Sequence, residues 1–146
     1  MALDLVSPLE EIISIVAGLE GVHQVYAGIP KGVSKQLVAF VSLGGQAISD
    51  KASGGLVERT VRYRVMFGYG VDGIPEDAEV ALATIVDRFL VAIYAARQSW
   101  AQTPGTFGTI RSVDPSPADD PAYALWPGHE YRLYPITVSV AQRMVA

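Results

Sequence analysis

The chain has 146 residues, half of them apolar and only 18% charged, with a net charge of −4 and no cysteine. These figures exclude disulfides, thiolate chemistry and cysteine-ligated zinc. They also argue against a broad duplex-binding surface, whose affinity comes from neutralising phosphates.

A single domain of this length buries about 70% of its unfolded surface, so its core needs no staple. The charged fraction lies below the roughly 25% of ordinary domains. Either part of the apolar surface is covered by copies of the chain or a partner, or the core is well filled and surface charges are few. The longest apolar run, residues 89–96, is too short to cross a bilayer. Asp4 stands where a signal peptide would carry positive charge, so the expectation is a soluble, untargeted chain with no membrane partner.

In chain order, Ser7-Pro8-Leu9-Glu10 predicts a first helix with Ser7 as N-cap and Glu10 closing a capping box. Leu9, Ile12, Ile13 and Val16 form its buried stripe, and Gly18 and Gly21 end it. Residues 23–27 read as a short strand and 36–43 as a second, whose continuously apolar LVAFV core implies cover on both faces. The glycine-rich stretch 44–55 exceeds the two to five residues that a hairpin needs. It therefore reads as a long loop, and Gly45, Gln46, Asp50 and Lys51 are its candidate contact residues.

LVERTVRYRVMFGYG follows, with Val57, Arg59, Val61, Tyr63, Val65 and Phe67 on one face and Glu58, Thr60, Arg62, Arg64 and Met66 on the other. From Asp77 the period changes, and Leu82, Ile85, Val86, Phe89, Ile93, Ala96 and Trp100 mark an amphipathic helix. TPGTFG breaks it, and 109–113 reads as a strand. DPSPADDP cannot be helix or central strand, and Tyr123, Leu125 and Trp126 continue the irregular stretch, giving a second long loop at 114–130. Residues 131–143 form the last strand; Pro135 lacks a ladder donor, so this strand lies at an edge there or carries a bulge.

This order predicts one α+β domain over 1–146. An antiparallel or mixed sheet of four to five strands carries both helices on one face, because two helices cannot cover both sides of a parallel sheet.

Chemistry-bearing patterns are sparse. Asp119, Asp120, His129 and Glu130 have metal-ligand side chains but no spacing such as HExxH, and read as a solvated acidic loop. Ser7, Ser42, Ser99 and Ser139 sit in no nucleophile elbow, and His23 and His129 are the only histidines. Gly68, Gly70 and Gly73 match dinucleotide-loop spacing, yet the preceding strand is amphipathic and the acidic Glu76, Asp77 and Glu79 would repel a phosphate. No catalytic set, metal or cofactor is expected. Arg59, Arg62 and Arg64 form either a solvated strand face with cross-strand ion pairs or an inter-subunit seam. Tyr123, Trp126, Tyr131 and Tyr134 either anchor an interface or pin a loop to the sheet.

Taken together, the helix near residue 7, the strand pair with its long polar loop, ERTVRYRVMFGYG, the helix DAEVALATIVDRFLVAIYAARQSW and a final hairpin with an insertion resemble the tail-terminator, or tail-completion, proteins of long-tailed bacteriophages. The similarity covers nearly the whole chain and lies in pattern and order of elements. It implies a subunit of a hexameric ring that sits on the last ring of the tail tube, stops its polymerisation and offers a docking surface to the head connector. The partners would be further copies of the chain, the tube protein and the connector or head-closure protein, at the head-proximal end of the virion tail. DNA would pass through the lumen without specific binding. Arg59, Arg62, Arg64 and Tyr63 would lie on the strand between subunits, and the two long loops, with Asp119, Asp120, Tyr123 and Trp126 in the second, would touch tube and connector. The family implies no catalytic residues. Other readings are a different virion joint or tube protein, a regulatory dimer, or a ligand-binding domain or enzyme with a pocket near His129.

Overall fold

The apolar spacing of the first segment builds α1 (Val6–Ala17), which buries Pro8, Ile12 and Val16. In the computed structural model residues 5–22, 24–27, 37–53, 56–70, 75–102, 108–114, 122–126 and 129–145 are described. The helix begins one residue before Ser7, and its N-cap is Leu5, which makes no side-chain capping bond. The expected Ser7 cap is thus corrected: a tertiary contact fixes this entry, because Tyr63 Oη donates to the Leu5 carbonyl at 2.8 Å. The chain leaves α1 through Gly21 at φ +100°, a left-handed conformation that glycine adopts without strain.

The strands are β1 (Gln24–Ala27), β2 (Val38–Ser53), β3 (Leu56–Gly70), β4 (Thr109–Asp114), β5 (Ala122–Trp126) and β6 (His129–Val145), and α2 (Pro75–Gln102) lies between β3 and β4. They form one sheet in the order β1-β2-β3-β6-β4, with β5 pairing β6 off that path. Among the described strands β1–β2 is the one parallel pairing, and the other pairings are antiparallel. The protein is therefore an α+β domain with a mixed sheet and two helices on one face. Six strands are described because Ala122–Trp126, expected as irregular, pairs with β6.

The core lies between that face and the helices. Val61, Tyr63, Val65 and Phe67 of β3 alternate inward, joined by Ile136, Val138 and Val140 of β6. Against them α2 sets Leu82, Ile85, Val86, Phe89, Ile93 and Trp100, and α1 adds Ile12 and Val16. The rings of Phe67 and Phe89 meet edge to face, centroids 5.6 Å apart at 65°, the geometry that aromatic quadrupoles favour. Val38 to Val41 are all buried, so the continuously apolar LVAFV run does have both faces covered.

The loop expected at 44–55 is corrected. β2 runs on to Ser53, and Ser53 pairs with Leu56. From Leu43 to Ile48 β2 advances five residues while β3 retreats two, Tyr63 to Val61. The GGQA segment holds three extra residues as an irregularity opposite Arg62, after which pairing resumes. The 114–130 loop is likewise shortened: β4 reaches Asp114, β5 occupies Ala122–Trp126, and Trp126 pairs with His129.

Pro135 behaves as its missing donor requires. On one side it is opposite Met66 of β3. On the other, β5 pairs with 129–133 and β4 with 137–141, so the proline falls in the gap between them. β4 carries a register shift between Ile110 and Ser112. That extra residue lets Ile110 join the core while Val113, three positions on, also packs against it.

Candidate functional site

Alternation along β3 sorts the arginines. Arg59 shares the helix-facing side with Val61 and Tyr63, half-buried, in register with Asp50 on β2 and with Gln142, a buried polar residue of β6. Glu58, Thr60, Arg62, Arg64 and Met66 fall on the opposite side. Their β6 neighbours there are Ala141 beside Thr60, Ser139 beside Arg62, Thr137 beside Arg64 and Pro135 beside Met66. Thr137, Ser139, Thr60 and Arg62 are half-buried and Arg64 is exposed. Where the helix side is packed with aliphatic and aromatic groups, this side presents hydroxyls and guanidinium groups to its surroundings. Toward the Gly68 end of β3 it becomes apolar, with Val38, Phe40 and Leu133 buried outside the core beneath the helices.

Tyr63 does not belong to this surface. Its side chain is fully buried and its hydroxyl is tied to Leu5, so its place among inter-subunit contacts is corrected to a core role. The parity of the strand puts it with the inward set, and its large ring has no other place to go. Tyr134 also packs against the core, which assigns it to pinning β6 and away from the face of Arg62 and Arg64.

Gly45 and Gln46 lie in the irregular stretch of β2, and Asp50 and Lys51 stand opposite Arg59 and Glu58. Tyr123 stands opposite Arg132 and Trp126 opposite His129. Asp119 and Asp120 lie outside the described residues. Gly68 and Gly70 sit within antiparallel β3, opposite Leu133 and Tyr131, which is not the geometry of a loop wrapped around a phosphate. Arg132 Nε donates to Glu79 Oε1 at 2.8 Å, tying the first turns of α2 to β6, and Arg132 Nη1 also donates to the Leu133 carbonyl.

Among the described residues no three His, Asp or Glu side chains are grouped so as to hold a metal ion. No described helix is long and apolar enough to cross a membrane. A cavity of about 340 Å³ opens at the other side of the sheet from the arginine face, beneath α2 and next to Tyr69. Sequence reasoning missed it, because its walls come from four segments distant in the chain, around Gly21, Leu37, Tyr69 and the first half of α2.

The surface with the most distinctive chemistry is thus a sheet side that neither helix covers, polar and cationic at its middle. No protein-family model matches the chain, and no curated protein matches it either.

Proposed function

We propose that the chain is a structural ring subunit of the tail-terminator kind, capping a phage tail tube and presenting a docking surface to the head connector. The observation that carries this reading is that both helices lie on one side of the sheet and leave the middle of the other side without helix cover. Both helices pack on the face of Tyr63 and Phe67, and the opposite face offers Arg62, Arg64, Thr137 and Ser139 to a neighbour.

Three physical points support it. Arginine is favoured at interfaces because its planar fork makes paired hydrogen bonds to carboxylates. A head-to-tail contact between that face and a different patch of the next copy closes into a ring when the rotation permits. The chain's own excess of acidic residues supplies carboxylates for such a contact. DNA would pass through the lumen without base-specific contacts, and the net acidic charge is consistent with weak adhesion.

The test is the mass in solution by light scattering over a concentration series, with and without tail tubes. A discrete multi-subunit mass, or rings that form only at tube ends, is the expected result. A concentration-independent monomer or dimer that ignores tubes would overturn the reading.

A further inference from the structure

We propose that the cavity beneath the first half of α2 is a binding site for a small organic carboxylate carried on an apolar body. This rests on a different part of the molecule from the ring reading and stands or falls separately. The cavity holds about 340 Å³, at the small end of ligand sites. Its apolar walls are Leu37, just before β2, and Ala81 and Ile85 on α2; Leu37 and Ile85 belong to the buried core.

Two polar groups meet this apolar floor. Arg88 and Tyr69 both line the cavity. Arg88 Nη1 donates to the Glu20 carbonyl at 2.7 Å, which holds the guanidinium at the rim. Gly21, at φ +100°, lies beside this contact, where a Cβ would stand 3.2 Å from Arg88 Nη1 and push the guanidinium aside by a few tenths of an ångström. Among the described residues no carboxylate pairs with Arg88, in contrast to Arg132, whose charge Glu79 balances. Tyr69 is half-buried, and no described group bonds its hydroxyl. Thr84 Oγ1 commits its proton to the Val80 carbonyl at 2.8 Å, so it adds no donor.

A cation held by the Glu20 carbonyl, whose other N–H groups meet no acceptor among the described residues, lies beside a phenol and apolar walls and matches a monoanion with an apolar body. The carboxylate takes charge-assisted hydrogen bonds from Arg88, and the body displaces water from Leu37, Ala81 and Ile85. A phosphate dianion fits less well, since one cation would leave it undercompensated.

Benzoate and its uncharged isostere benzamide are the probes, titrated into the full chain while the amide signals of 21, 37, 69, 81, 85 and 88 are followed by NMR. Benzoate is expected to shift these signals and to bind about tenfold more tightly than benzamide, the strength of one charge-assisted contact. Arg88→Gln should remove that advantage and leave benzamide binding as it was. Ala81→Leu, which fills the cavity, should abolish both. Equal binding of the two probes, benzoate binding unchanged in Arg88→Gln, or no shift of these signals by benzoate would overturn the proposal. Melting curves of both variants are the check that each is folded, and the comparison is read on variants that melt cooperatively.

Discussion

Gly108 carries more structural obligation than its size suggests. It is buried at φ +104°, and a Cβ there would lie 2.7 Å from the Ala141 carbonyl oxygen and 3.0 Å from side-chain atoms of Gln142 and Val140. The nearest obstacle is backbone and cannot swing aside. Gly108→Ala is expected to destabilise by about 2–4 kcal/mol, left-handed strain and overpacking together. Urea unfolding checks this, and an unchanged midpoint would mean that β4 can shift off β6 freely. The sequence marks the position as a breaker in TPGTFG, but the contact that forbids any other residue comes from β6, some thirty positions on. Tyr63 teaches the converse. Its inward parity is legible in the alternation of β3, whereas its bond to Leu5 joins segments 58 residues apart and has no local signature.

At the scale of elements, α2 shows how far periodicity can be trusted. The stripe Leu82, Ile85, Val86, Phe89, Ile93 and Trp100 is buried as its spacing predicts. The opposite side exposes Val80, Val91 and Tyr94, with Val91 at 73%. Phe89→Ala should therefore cost about 3–5 kcal/mol through lost burial and a cavity. Val91→Ala, two residues away, should stay within about 0.5 kcal/mol. Thermal unfolding of the pair checks the assignment, and equal losses would contradict it. The β2–β3 hairpin is the element that local reasoning misses. Twelve polar, glycine-rich residues look like a loop, yet Gly54-Gly55 is a dipeptide suited to a two-residue connection. The register that β2 and β3 adopt places Lys51 opposite Glu58 and Asp50 opposite Arg59, opposite charges on both rungs. The obstacle is the irregularity at 44–47, which breaks the alternation and hides the pairing from a period-two search.

For the whole molecule, the division into a helix-covered face and a polar face is the feature from which assembly would follow. Arg64 is exposed on the polar face, opposite Ser42 and Thr137. Arg64→Glu is expected to leave the melting temperature within about 2 °C, as surface changes away from the core do. If the ring seam runs through this face, the same change should abolish the multi-subunit mass in light scattering. Assembly that survives the reversal would move the seam elsewhere.

The sequence by itself determines the helices, the faces of β3, the interruption at Pro135 and the α+β class, because each follows from spacing or from a missing donor that acts within a few residues. Only the tertiary structure decides that β1 runs parallel to β2, that β2 continues past its glycines, that β5 is a strand, and that Arg88 and Tyr69 share a cavity with Leu37. Strand partners and cavity walls are chosen by contacts between distant segments, whose free energies depend on what else is packed nearby, and no local pattern encodes that competition.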